Sequence, residues 1–302
     1  MTYAIETHAL TKYYGKKVGC QDITLAIEEG QLFGLLGQNG AGKSTFVKML
    51  IGLIHPTSGE ARLLGRPLSD VANRSQVGFL PENFKYQEWL SGRELLRYHA
   101  ALIKMGGAPR EKRITEVLDT VKMDAAADAK VRTYSKGMQQ RLGLACAILA
   151  KPRLLFLDEP TSALDPLGRV DVREILVGLK AEGTTVFLNS HLLSEIETVC
   201  DEVAIMKSGG IVTTGSLERL LAGKIELLVR TSELRDEVRE RILRASLPLS
   251  RNGNRFLLEV DDENAVAEIA RTIVVSGAEL YELSQHHRSL EELFLEVVKE
   301  GE

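Results

Sequence analysis

Cysteine is scarce in this chain: Cys20, Cys146 and Cys200 are the only three in 302 residues, far apart and without a CxxC pair. This excludes a disulfide framework and a cysteine-based zinc site, and it suits a reducing cytoplasm. Long apolar runs are missing as well. Hydrophobic residues make up 44%, yet stretches such as Leu144 to Ala150 fall far short of the roughly 20 residues that span a bilayer. Glu6, His8 and Lys12 interrupt the first residues, so no secretory signal is expected there. Nor is there an excess of positive charge. With 38 Lys+Arg against 42 Asp+Glu the formal charge is −4, unlike a protein that neutralises many phosphates of a nucleic acid, and no nucleic-acid partner is expected. The chain should be soluble, or held at a membrane by something else.

What is present first suggests two domains, since one domain usually takes about 100 to 200 residues. Ile23, Leu25 and Ile27 alternate with polar residues as in a strand. Leu32 to Leu36, Val77 to Leu80, Leu154 to Leu157 and Thr185 to Leu188 read as short buried strands, and Phe46 to Ile54 reads as a helix. Strands alternating with helices predict an α/β fold with a mostly parallel sheet. Between Pro81 and Tyr134 no strand pattern occurs, while Arg93 to Lys104 and Arg110 to Val121 look helical around a Gly106-Gly107-Ala108-Pro109 break, which predicts a helical insertion over about 82–140. Leu217 to Leu221 reads as a closing helix, which puts the domain boundary near Gly223. Beyond it, strands at 224–230, 255–260 and 278–284 and helices at 233–245, 264–276 and 289–299 predict a small α+β domain over 224–302. That domain carries 11 Lys/Arg against 17 Asp/Glu, unlike a membrane-surface anchor. Its adjacent His286 and His287 point apart along one segment and lack a Cys or acidic partner at suitable spacing, so no metal site is expected there.

Gly37, Gln38, Asn39, Gly40, Ala41, Gly42, Lys43 and Ser44, followed by Thr45, match GxxxxGK[ST] between a strand and a helix. Glycines let backbone N–H groups converge on phosphate oxygens, and the positive end of the helix adds to their field. Lys43 would reach the outer phosphates, and Ser44 offers a hydroxyl to Mg²⁺. Asp158 and Glu159 close a buried apolar strand, at the edge where open parallel sheets bind ligands. In this setting Asp158 suits a metal and Glu159 suits a general base that activates water.

The octapeptide YSKGMQQR (134–141), followed by LLFLDEPTSALD (154–165) and LNSHLLSEIE (188–197), resembles the nucleotide-binding subunits of ATP-binding cassette (ABC) transporters. The resemblance covers about residues 2 to 220. It implies a P-loop NTPase cassette with an antiparallel β subdomain and a helical insertion, an ATPase that uses ATP and Mg²⁺. It also implies a second cassette as partner, with each ATP held between one subunit's phosphate loop and Ser135 and Gly137 of the other. His191 matches the histidine that bonds the γ-phosphate and braces Glu159, and Asp165 matches the residue linking the two sites. Tyr14, next to Gly15, matches the aromatic that stacks on adenine, with Tyr13 as its competitor. A separate integral-membrane permease is implied too, which places the subunit on the cytoplasmic face of the membrane. The contrasting expectation, a cassette protein acting on ribosomes or DNA, usually comes with two cassettes or long coiled coils, and this chain has neither.

Two departures stand out. Glu82 occupies the place where the family usually has glutamine; it can still reach Mg²⁺ or the water, but when ionised it donates no hydrogen bond. Lys136 and Met138 replace a glycine and a glutamine of the usual signature. That shape, together with the acidic C-terminal module, is most similar to bacterial exporters of the type that carry drugs, antibiotics, lipids or sodium.

Overall fold

A computed structural model describes residues 2–162, 164–221, 225–244, 246–252, 254–286 and 289–299. Gly223, Lys224 and His287 of the sequence reading therefore lie outside the described residues. The chain divides into two compact units, Met1–Ser216 and Leu217–Glu302.

The first unit begins with two long strands, β1 (Tyr3–Tyr14) and β2 (Lys17–Glu28), then β3 (Leu32–Gly37), α1 (Lys43–Leu50), β4 (Ser58–Leu63), β5 (Arg66–Pro67) and β6 (Val77–Leu80). Three helices follow: α2 (Gly92–Leu102), α3 (Gly107–Thr120) and α4 (Lys136–Ile148). The unit closes with β7 (Leu154–Asp158), α5 (Pro166–Ala181), β8 (Thr185–Asn189), α6 (Leu193–Val199), β9 (Glu202–Lys207) and β10 (Gly210–Ser216). β2-β1-β4-β5 form an antiparallel sheet, and β10-β9-β3-β8-β7-β6 form a second sheet. In the latter β3, β6, β7, β8 and β9 pair in parallel, and β10 is an antiparallel edge.

The central strands LFGLLG, LLFLD and TVFLN are buried at every position, as a parallel sheet covered on both faces requires. Phe187 of β8 meets Phe33 of β3, Phe46 of α1 and Phe156 of β7 at ring-centroid distances of 5.6, 6.2 and 5.2 Å. This aromatic cluster ties β3, β7 and β8 to the first helix, so the two elements that flank the glycine loop share one packed core.

The helix expected over Phe46 to Ile54 runs instead from Lys43 to Leu50. Its first turn is the end of the glycine loop itself, and it stops because Gly52 turns left-handed at φ 75°. In the helical insertion α2 opens with a reciprocal Ser91–Glu94 cap. Helix α3 begins inside the expected glycine-proline break, since Pro109 sits in its first turn, where a missing N–H costs nothing.

The second unit comprises α7 (Leu217–Leu221), β11 (Ile225–Thr231), α8 (Asp236–Arg244), β12 (Leu247–Asn252), β13 (Arg255–Val260), α9 (Glu263–Val275), β14 (Leu280–His286) and α10 (Leu290–Lys299). Its antiparallel order β12-β13-β11-β14 gives the βαββαβ arrangement of ferredoxin-like folds. Ile225, Leu227 and Val229 alternate inward against Ile242, Val266, Ile269 and Ile273. The strand β12 has no counterpart in the sequence reading. It is a sheet edge containing Pro248, where the register shifts between Pro248 and Ser250, and edges and bulges are places where a proline fits a sheet.

Candidate functional site

The glycine loop leaves β3 and enters α1 through three unusual backbone conformations, Gly37 at φ 156°, Gly40 at φ 86° and Gly42 at φ 104°. A Cβ on Gly42 would lie 2.4 Å from the main-chain oxygen of Gly19, and one on Gly37 2.5 Å from that of Met206. Bare backbone is therefore required at both positions. Gln38, Asn39, Gly40 and Ser44 are exposed, Ala41 is buried and Thr45 half-buried. As first-turn residues Lys43, Ser44 and Thr45 have N–H groups without an intrahelical acceptor, which form a ready anion cradle.

Lys43 is buried, and its ammonium donates to the oxygens of Gly37 at 2.7 Å and Gln38 at 3.3 Å. Burial lowers its pKa, and the nearby carboxylates of Glu159, Asp158 and Glu82 oppose that shift. The exposed Glu82, just beyond β6, is thus close enough to act on the same lysine. Burial raises the carboxyl of Asp158, while a hydrogen bond from Asn189 Nδ2 pulls it down.

Glu159 follows β7 in a left-handed conformation, φ 54°. Its N–H donates to Asn189 O at 2.8 Å, and its own carbonyl accepts from Gln140 Nε2 at 3.4 Å and Ser162 Oγ at 3.1 Å. Its carboxylate lies 2.7 Å from His191 Nδ1. A carboxylate only accepts, so Nδ1 carries the proton in this contact. Burial raises the Glu159 carboxyl, and the bond from His191 offsets part of the rise.

Tyr14 is 48% exposed, with Lys12 Nζ 5.5 Å from its ring centroid. A Cβ on Gly19 would stand 2.9 Å from Tyr14 Cε2 and 3.0 Å from Thr45 Cγ2, so the tyrosine ring and the start of α1 flank one bare glycine. Tyr13 instead pairs with Val18 and donates its N–H to Thr57 Oγ1.

Ser135 and Gly137 lie at the N-terminus of α4, the helix whose Gln140 reaches the carbonyl of Glu159. Ser135 caps that helix by accepting from Met138 N at 3.2 Å. Asp165 caps α5, accepting from Gly168 N at 2.8 Å. The structure thus gathers Lys43, Glu82, Asp158, Glu159 and His191 into one cluster and leaves Ser135, Gly137 and Asp165 at two other helix starts. Sequence reading missed Asn189, Gln140 and Gly19. The first two fall inside the motif stretches already singled out, but only the folded chain shows what they touch.

A phosphate-cradling loop at the carboxyl end of a parallel sheet, with a lysine, paired carboxylates and a histidine facing it, defines a P-loop nucleoside triphosphatase. The ABC transporter family pattern matches residues 20–162. An uncharacterized ABC transporter ATP-binding protein of Nostoc sp. is 40% identical over 287 residues, 94% of this chain and 84% of that one. The bacitracin transport ATP-binding protein of Enterococcus faecalis is 33% identical over 100% of this chain and 98% of its own length. A solved dimeric ATP-binding cassette in a post-hydrolysis state, bound to ADP and phosphate, is 25% identical and superposes with a TM-score of 0.64 over 70% of this chain and 98% of that one. The chain belongs to the ATP-binding proteins of ABC transporters and is an ATP-binding ATPase subunit. Among the described residues no helix is long and apolar enough to cross a membrane.

Proposed function

We propose that two such subunits close head to tail on two ATP molecules, each held between the phosphate loop of one and Ser135 and Gly137 of the other. The observation that carries this reading is the split just described: the hydrolytic groups cluster around Lys43, while the serine and glycine of the signature start a separate helix. Asp165, at the start of α5, links the two sites. Tyr14 stacks on adenine beside Thr45.

The donor set suits Mg²⁺. The Ser44 hydroxyl and the carboxylates of Asp158 and Glu82 are hard oxygens, and the buried Asn189 Oδ1 has no hydrogen-bond partner among the described residues. When bound, Mg²⁺ neutralises charge on the phosphoryl oxygens. Lys43 leaves its loop carbonyls for the phosphates. Glu159, in its ionised form, accepts a proton from the attacking water. His191 holds Glu159 through Nδ1, and bridging to the γ-phosphate through Nε2 as well requires both ring nitrogens to be protonated.

The work done is export through a separate membrane permease, with the subunit peripheral at the cytoplasmic face. The full-length similarity to the bacitracin transport protein supports this. The helical region supplies a docking surface: Trp89, Tyr98, Leu102 and Ile103 are 71, 46, 63 and 47% exposed, and such apolar exposure favours a partner. Glu82 is tied to that region because Phe84 rests on α4, where a Cβ on Gly143 would meet its ring at 3.1 Å. The second unit stabilises the dimer or regulates it. Glu159→Gln should trap an ATP-bound dimer on gel filtration, and Lys43→Ala should lose ATPase activity. A Glu159→Gln protein that stays monomeric in ATP, beside a fully active Lys43→Ala protein, would overturn the proposal.

A further inference from the structure

Asn189 ends β8 directly opposite Asp158, the last residue of β7, and is 2% exposed. Its side-chain Nδ2 donates to Asp158 Oδ1. The reverse placement of the amide would set Oδ1 against a carboxylate oxygen, acceptor against acceptor, so the assignment follows from chemistry. Its main-chain oxygen accepts the N–H of Glu159 at 2.8 Å, the residue whose backbone is left-handed at φ 54°. One residue therefore grips both acidic residues, the first by its side chain and the second by its main chain. Its other side-chain polar atom, Oδ1, is buried and unpartnered among the described residues. Buried acceptors are almost always satisfied, so one without a partner calls for an explanation, such as a bound water or ion.

We infer that Asn189 is a positioning residue of the ATPase reaction: its amide fixes the Asp158 carboxylate, its carbonyl fixes the turn at Glu159, and Oδ1 accepts a hydrogen bond from water held beside Asp158. A neutral amide suits this place. It donates to a buried carboxylate as Lys or Arg would, without adding a positive charge that competes with a divalent cation. It also supplies the acceptor that neither of those side chains has. One Asp158 oxygen is committed to Asn189, and the other is left for a second partner. The inference rests on the reading that Asp158 holds the metal.

The test measures binding of a fluorescent ATP analogue in EDTA and across a Mg²⁺ titration, together with kcat and KM for ATP hydrolysis. It compares the wild type with Asn189→Leu, Asn189→Asp, Asn189→Ser and Asp158→Asn. Leucine keeps the volume and removes both polar atoms; aspartate keeps the shape and puts an acceptor where the donor was. In EDTA both variants should bind the analogue as the wild type does. The Mg²⁺ needed for half-maximal tightening should rise about tenfold for Asn189→Leu and further for Asn189→Asp, with kcat falling in the same order, the scale expected when a residue supporting a metal ligand is removed. Asn189→Ser, which keeps a hydroxyl donor and acceptor, should lie between wild type and leucine. If Asp158→Asn loses the Mg²⁺ effect while Asn189→Leu and Asn189→Asp keep wild-type Mg²⁺ dependence and kcat, the inference is wrong. If Asp158→Asn itself keeps the Mg²⁺ effect, the metal reading of Asp158 fails first. Should leucine prevent folding, the order of wild type, serine and aspartate carries the same decision.

Discussion

Gly19→Ala should weaken ATP binding by displacing the ring of Tyr14. The added methyl would stand 2.9 Å from Tyr14 Cε2, 3.0 Å from Lys12 O and 3.0 Å from Thr45 Cγ2. Gly19 is the third residue of β2, outside the left-handed positions of the chain, so alanine can take its backbone conformation. Of the three neighbours the Tyr14 ring yields most easily, being 48% exposed and attached by a rotatable side chain. Relief of the clash therefore moves that ring. If the ring stacks on adenine, displacing it forfeits stacking worth about 1–3 kcal/mol, a rise in Kd of roughly 5- to 150-fold. Isothermal titration with ATP and Mg²⁺ on Gly19→Ala, Tyr14→Ala and the double variant measures this directly. Because both changes remove one interaction, their effects should not add, and the double variant should match Tyr14→Ala. Tyr13→Ala should bind ATP as the wild type does. Wild-type affinity in Tyr14→Ala would show that its ring does not stack on the base, and additive losses in the double variant would show that Gly19 acts by another route.

Gly42→Ala should be more severe, since φ 104° and a 2.4 Å approach to Gly19 O both oppose a side chain. The backbone conformation alone costs about 1–3 kcal/mol, or about 2–4 °C of melting temperature per kcal/mol, and nucleotide binding should go with it. Glu159 has its carboxyl raised by burial, so the base form is lost at a higher pH than for an ordinary glutamate as pH falls. Turnover should drop along that acid limb, and His191→Ala should move the limb to still higher pH, because the bond that lowers Glu159 has gone. The same shift has a stability sign. With the folded pKa above the unfolded value, the contribution of Glu159 is fully present below its unfolded pKa and is lost as pH rises through the raised one. Glu159→Gln should therefore melt higher than wild type at pH 8, with the difference vanishing in acid; equal melting temperatures at both pH values would contradict the assigned burial cost.

Much of this site is legible as sequence because its parts are local. A phosphate loop needs glycine at set positions within one turn, and an acidic pair after an apolar run needs only one strand, so Lys43, Asp158 and Glu159 announce themselves. His191 and Ser135 needed the resemblance, since a histidine after a strand and a serine before a helix are common. What escaped is tertiary. Gly19 matters because Tyr14 and Thr45 close on it from two elements, and Asn189 because parallel pairing sets it opposite Asp158 across 31 residues of chain. Helix α1 was placed three residues late for a related reason: the polar loop residues that look like its approach are its first turn. Edge strand β12 was invisible because its contribution is backbone pairing, with a proline where a strand pattern should be strongest.

If one nucleotide site is built from two chains, two variants that are inactive alone should complement each other. Lys43→Ala disables the phosphate loop. Ser135→Asp keeps a good helix cap and sets a carboxylate against the phosphates. Each homodimer should be inactive. Mixed, unfolded together and refolded, half of the dimers pair one of each, and in these the intact loop of one subunit meets the intact signature of the other. ATPase activity should return to about a quarter of the wild-type value, one good site in four for a two-fold dimer. A mixture as inactive as its components would show that Lys43 and Ser135 serve the same ATP from within one chain, and would contradict the account.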